Sequence, residues 1–171
     1  MKRFFGMILA VLMITAVLCA CGKTSEVKTS VPSKYDDGYA DKYAKSTSTD
    51  GDKKVYEFTD DQYKEYTNNH KNSLGKDLQK EIGSLHESSG DQKSTYGEYA
   101  YINEEKKAVI VGVHTDQYDE ATAKEESKIA SEYGFKYFQN IKDPVDTIKV
   151  IYCDANNQDT VFGTFEYTVE K

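Results

Sequence analysis

The fold is decided by the stretch FTDDQY at residues 58–63. Thr59 and Gln62 have the T-x-x-Q spacing of a capping box, in which each side chain bonds to the other residue's backbone N–H. Phe58 precedes the cap and is placed to pack on Tyr63 as a hydrophobic staple. This stretch therefore predicts a helix that begins directly after Thr59.

Apolar or amphipathic side chains continue from this start at steps of three and four residues. Such spacing places them on one face of a helix, carried over about seven turns. Gly75 and Gly83 interrupt the pattern, and each costs about 1 kcal/mol relative to alanine in a helix interior. We therefore expect one long helix, or two helices with a break near residues 72–75. The face consists of Tyr63, Tyr66, His70, Leu74, Leu78, Ile82 and Leu85.

Two strand patterns follow this helix. Residues 96–102 alternate in character, which places Tyr99 and Tyr101 on the same face of a strand. Residues 103–106 make a turn, and residues 108–113 form a continuous β-branched run that is typical of a central strand. We therefore expect a first β-hairpin here.

A second helix and a second hairpin complete the pattern. The helix is expected to begin around residues 116–119, because acidic side chains stabilise a helix N-terminus. It should end before Pro144, since the residue that precedes a proline is disfavoured in a helix. Residues 147–153 and 160–169 are strand-like and are joined by an Asn-rich turn, which indicates a hairpin.

This order of elements predicts an α+β domain over residues 54–171. A helix or helix pair comes first and a ββαββ unit follows it. Two hairpins joined by one helix make a four-stranded, mainly antiparallel sheet with the helices on one face. At about 115 residues, the predicted domain has the size of an ordinary single domain.

Residues 21–53 have a different composition, dominated by Ser, Thr, Lys, Asp and Gly. A stretch so poor in aliphatic side chains buries too little apolar surface to offset the entropy of ordering it. We therefore expect a flexible tether with a reach of roughly 30 Å. Tyr35, Tyr39 and Tyr43 are four residues apart, which leaves a short Tyr-faced helix as the alternative.

The first residues have the pattern of an export signal. A basic pair at residues 2–3 precedes an apolar run at residues 4–18, which as a helix is about 22 Å long and too short for the ~30 Å hydrocarbon core. The run ends in LCAC at residues 18–21, which resembles the lipobox of bacterial lipoprotein precursors. The resemblance covers only this leader. It implies a signal peptide over residues 1–20 and a lipid on Cys21 that holds the protein at the extracytoplasmic face of the cell membrane.

Charge and cysteine content narrow the function further. The formal net charge is −7, and loss of the signal peptide makes it more negative, because the signal contains two basic residues and no acid. Nucleic acids require a basic surface, so we expect no nucleic-acid partner. With Cys19 removed and Cys21 lipidated, Cys153 is the one remaining thiol, and we expect it to be buried and structural.

The strongest candidate site for chemistry is His114 with Asp116 and Asp119. These side chains lie where a strand ends and a helix begins, and free N–H groups at a helix start attract anions. The alternative is a strand exit followed by acids that cap the helix. His70, His86 and His114 lack the spacing of metal ligands, so we expect no metal, and no cofactor motif is present.

The most unusual feature of the composition is 14 tyrosines with no tryptophan. Tyrosine is enriched at binding surfaces. Tyr99 and Tyr101, with Phe165 and Tyr167 from the last strand, could form an aromatic platform for a ligand. The alternative is that these rings face the helices and fill the core.

We therefore expect a lipid-anchored binding module of the cell envelope, which recognises a protein or cell-wall component through a sheet face or the helix–sheet edge. A small envelope enzyme with a His114/Asp116/Asp119 cleft is the alternative. A transporter-linked solute receptor is disfavoured, because about 115 folded residues are too few for two lobes.

Overall fold

The computed structural model describes residues 25–88 and 97–169, apart from the side chains of residues 83–88. The expected signal peptide, Cys21, Tyr96 and the His86 side chain lie outside this part. The elements in chain order are β1 (Glu26–Pro32), a short 3-10 helix (Tyr39–Lys42), β2 (Ser46–Asp50), β3 (Lys53–Thr59), α1 (Asp60–Ser88), β4 (Tyr99–Asn103), β5 (Ala108–Val113), α2 (Glu120–Phe138), β6 (Thr147–Asp154) and β7 (Asn157–Thr168).

The described chain combines two α-helices with two sheets, so the predicted α+β class is confirmed. A three-stranded antiparallel sheet has the order β1-β3-β2, and a four-stranded sheet has the order β4-β5-β6-β7. The second sheet is mixed, because α2 crosses over between β5 and β6 and makes that pair parallel. Three strands precede α1, so the expected N-terminal helix is not the first element of the described chain.

The prediction of a flexible tether up to residue 53 is wrong for residues 26–50, which contain β1, the 3-10 helix and β2. Val27 pairs with Phe58 and Thr29 with Tyr56 across β1 and β3. The buried aromatic side chains that pack against this segment, Tyr56, Phe58 and Tyr66, come from β3 and α1, outside the segment itself. Local composition therefore could not reveal its order.

The tyrosines of this segment are ordered as well. The rings of Tyr39 and Tyr43 stack with centroids 5.7 Å apart at the 3-10 helix. Both rings also contact Tyr66 on α1, at 6.4 Å and 6.0 Å between centroids. The Tyr-faced turn is therefore part of a core, and disorder was the wrong expectation.

Helix α1 begins as predicted. The Thr59 N–H donates to Gln62 Oε1 at 2.9 Å, and the Gln62 N–H donates to Thr59 Oγ1 at 3.3 Å. The Phe58 and Tyr63 rings lie 5.8 Å apart, as expected for the staple. The helix then runs for 29 residues without the break considered at residues 72–75.

Helix α2 is capped by Asp119, whose side chain accepts from the Thr122 N–H. Gly134 lies within this helix and does not end it. A Cβ at Gly134 would lie 2.5 Å from Ile148 Cδ1 and 3.0 Å from Val109 Cγ2. The glycine therefore allows the helix to sit close to the four-stranded sheet.

The main core lies between this sheet and the two helices. Within the described residues, no helix combines the length and apolar character needed to cross a membrane. The fully buried side chains of the sheet on this side include Ile148, Val150, Tyr152, Val109 and Val111, and α1 contributes Leu78.

Alanine at the two helical glycines is expected to have opposite effects. Gly75→Ala should raise the free energy of unfolding by about 0.5–1 kcal/mol, because helix propensity improves and the nearest atom, Ala100 O, lies 3.7 Å from the new Cβ. Gly134→Ala should lower it by about 1–3 kcal/mol, because Ile148 is fully buried and has no room to move. Denaturant unfolding measures both, and an unchanged Gly134→Ala variant would contradict the close approach.

Candidate functional site

Tyr99 and Tyr101 lie on the sheet face opposite the helices and fold across it. The Tyr99 ring lies against the backbone of Gly112 on β5, where a Cβ would come within 2.2 Å of the ring. The Tyr101 hydroxyl donates to Gln158 Oε1 at 3.1 Å. The two rings thus reach from the edge strand over β5 towards β6 and β7.

These rings close the outer face of the sheet. Ala108, Ile110 and Cys153 are buried beneath Tyr99 and Tyr101. Burial raises the pKa of Tyr99 to about 12, and its hydroxyl contact with the Cys153 thiol, at 3.7 Å, adds to the effect. The expectation that Cys153 is buried is confirmed.

The aromatic platform is not formed as expected. Phe165 pairs with Val150 and Tyr167 with Ile148, and these rings pack against the core on the helix side of the sheet. Tyr99 and Tyr101 lie on the opposite side. The alternative that all four rings face the helices is therefore wrong as well, because the alternation of β4 directs its tyrosines outward.

His114 follows the end of β5 directly. His114 Nε2 lies 3.3 Å from Glu98 Oε2, and its Nδ1 lies 3.4 Å from Asn156 Nδ2. Asp116 is exposed in the turn, and Asp119 is the N-cap of α2.

The hydrogen bonds of the cap explain the lowered pKa of Asp119. The backbone N–H of Thr122 donates to its carboxylate at 2.8 Å and the Thr122 hydroxyl at 2.7 Å, which lowers the pKa of Asp119. In the described part of the chain, no three side chains of the metal-binding types come together as a metal site would require. The arrangement matches a strand exit followed by a helix cap, and it gives no support to an enzymatic cleft.

A groove of about 670 Å³ lies between α1 and the edge strand β4. The wall on α1 is formed by side chains one turn apart. The opposite wall, called the strand wall, consists of six consecutive residues from β4 and the turn after it. This groove is a helix–sheet edge, one of the two binding surfaces that the sequence predicts. The lining residues are Lys71, Asn72, Gly75, Lys76, Gln79, Ala100, Tyr101, Ile102, Asn103, Glu104 and Glu105.

The free edge of β4 faces α1 along this groove. Gln79 Nε2 donates to the carbonyl of Glu98 at 2.7 Å, and the carbonyl of Ala100 lies 3.7 Å from the Cβ position of Gly75. Carbonyls of alternate residues point to the same side of a strand, so both belong to the edge that β5 does not use. A Cβ at Gly75 would therefore be in ordinary van der Waals contact with the strand.

One end of the groove is fixed by Glu104. Lys71 Nζ lies 2.8 Å from Glu104 Oε1, and the Tyr137 hydroxyl donates to the same oxygen at 2.7 Å. The hydrogen bonds from Lys71 and from Tyr137 lower the pKa of Glu104. The carboxylate is therefore held in position beside the groove.

The groove presents both charge signs and many hydrogen-bonding groups. Lys71 and Lys76 line one wall, and Glu104 and Glu105 line the other. It is open along its length, as an extended polar chain requires, and its mixed charge does not favour a ligand of one sign. Gly75, at which the sequence predicts a possible helix break, is one of the lining residues.

No protein-family model, no curated protein and no solved structure matches this chain. The groove and the tyrosine-covered face are therefore interpreted from their own geometry.

The covering role of Tyr99 can be tested through the reactivity of Cys153. In the chain without its leader and with Cys21→Ser, Tyr99→Ala should increase the rate of labelling by a disulfide reagent by about tenfold or more, because the thiol becomes exposed. Tyr101→Phe, which keeps the ring, is the control and should leave the rate unchanged. Equal rates in all three proteins would show that Tyr99 does not protect the thiol.

Proposed function

We propose that this chain is a lipid-anchored binding module on the extracytoplasmic face of a bacterial membrane, and that it binds a polypeptide of an envelope partner in the groove between α1 and β4. The location depends on the lipobox-like LCAC at residues 18–21. The binding role depends on one observation, the open groove of mixed charge that runs along the edge of β4.

The distance between the anchor and the domain is short. Residues 22–25 separate Cys21 from β1, and the five Cα steps span at most about 18 Å. The Ser25 hydroxyl donates to the carboxylate of Asp60, so the start of β1 lies beside the start of α1. In this proposal, that end of the domain faces the membrane, and the 30 Å tether is replaced by a close attachment.

The groove lies away from that end. Its helix wall begins at Lys71 and ends at Gln79, which at 1.5 Å per residue is about 16 to 28 Å along α1 from Asp60. A partner in the groove therefore does not compete with the lipid bilayer for the same surface. The acidic net charge of the chain also disfavours contact with anionic head groups.

An extended polypeptide suits this surface for two reasons. The strand part of this wall, residues 100–103, has three Cα steps and is about 10 Å long, which matches three or four residues of an extended peptide. The carboxamide of Asn72, the Gln79 side-chain oxygen and the Asn103 side-chain N–H groups offer donors and acceptors for a peptide backbone, while Gln79 Nε2 and Asn103 Oδ1 already bond within the protein. Lys76 and Glu105 add charges that select among side chains, which gives specificity more than affinity.

Lipidation is tested by labelling cells that express the chain with radioactive palmitate. The parent should be labelled and found in the membrane fraction, and Cys21→Ser should be unlabelled. Cys19→Ser is the matched control and should remain labelled, since its position accepts any small residue. A Cys21→Ser protein that is still acylated would show that the anchor is elsewhere.

The binding role is tested with a displayed library of unstructured decapeptides. Peptides selected on the parent should lose about tenfold or more in affinity with Lys76→Glu, because a groove cation is reversed. Lys80→Glu, one turn further along α1 and outside the groove, should leave affinity unchanged. If no peptide is selected, or both variants behave alike, the groove is not the binding surface.

A further inference from the structure

A second cavity lies between the loop after β1, the outer side of α2 and the end of β7. Its volume is about 440 Å³, within the range of small-molecule sites. Three lysines and three aromatic rings line it: Lys34, Lys128, Lys136, Tyr35, Phe135 and Tyr167. It does not overlap with the groove beside β4.

The rings form an apolar floor. Phe135 is buried, and its ring lies 6.0 Å from that of Tyr35 between centroids. Tyr167 is half-buried, and its hydroxyl bonds to the Ser127 hydroxyl, so the ring is fixed in orientation. The floor is thus built from side chains that the core already holds in place.

The lysines form a cationic rim. Lys128 and Lys136 are two turns apart on α2 and lie on the same side of the helix, and Lys34 comes from the loop. Glu132 is the one carboxylate among the described residues that line the cavity. An excess of cations is thus concentrated in a chain whose net charge is −7.

The ion pair of Lys128 is exchangeable. Lys128 pairs with Glu125 at 2.8 Å, but both side chains are more than half exposed. Such pairs contribute between 0 and about 1 kcal/mol, so a ligand anion can replace Glu125 at little cost. Lys136 Nζ lies 5.0 Å from the centroid of Tyr133 on the same helix, a ring that does not line this cavity.

We propose that this cavity binds a small organic anion, with its apolar body on the rings and its carboxylate or phosphate between the lysines. Hydrophobic burial on Tyr35, Phe135 and Tyr167 supplies affinity, and the ammonium groups select for negative charge. The proposal concerns the cavity alone and does not depend on the anchor or the groove.

Titration calorimetry of the full chain in detergent, with a detergent blank, tests the proposal. The probes are 3-phenylpropionate, the uncharged 3-phenylpropanamide and inorganic phosphate. Phenylpropionate should bind. The amide and phosphate should each bind more weakly by a factor of about ten or more, because the amide lacks the negative charge and phosphate lacks the apolar body. No binding of phenylpropionate up to about 10 mM would overturn the proposal.

Variants locate the binding. Lys128→Gln and Lys136→Gln should each weaken phenylpropionate binding several-fold, with melting temperatures like that of the parent. Lys124→Gln is the matched control, one turn before Lys128 on the same helix and outside the cavity. If Lys124→Gln weakens binding as much as the others, or if the amide binds as well as the acid, the cavity is not an anion site.

Discussion

The structure depends on a single apolar face of α1 that two sheets share. Tyr66 and His70, near the start of the helix, pack in the aromatic core beside the three-stranded sheet. Leu74, Leu78 and Ile82, further along the same face, pack against the four-stranded sheet. A break in the helix would separate the two cores, and this explains why the chain keeps one continuous helix through Gly75.

His70 lies where the two cores meet and has no exposed surface. Its ring is stacked between Tyr39 and Tyr66, at 4.8 Å and 5.4 Å between centroids, and its Nε2 lies 2.8 Å from Asp37 Oδ2. Burial alone would raise the pKa of Asp37, but the hydrogen bond with His70 helps to hold it below its ordinary value. The loop after β1 is thus joined to α1 by the contact between Asp37 and His70, two polar side chains whose burial without a partner would be unfavourable.

The sequence predicted the features that depend on near neighbours. The capping box of Thr59 and Gln62 and the buried strand of residues 108–113 are local patterns, and both are as expected. The order of residues 26–50 depends on pairing with β3, and the parallel β5–β6 pair depends on the path of α2. The groove was anticipated only as a helix–sheet edge, because no local pattern in the sequence shows how α1 packs beside β4.

The packing of α1 beside the edge of β4 also affects contacts between copies of this protein. Proteins held on a membrane by a lipid, as proposed for this chain, are confined to a plane, where neighbours meet far more often than at the same amount in solution. An unpaired strand at the edge of a sheet is a template for sheet extension between molecules. Gln79 Nε2 donates to the carbonyl of Glu98, and α1 lies beside the carbonyl of Ala100, so α1 occupies part of the edge at which a strand of a second copy would pair.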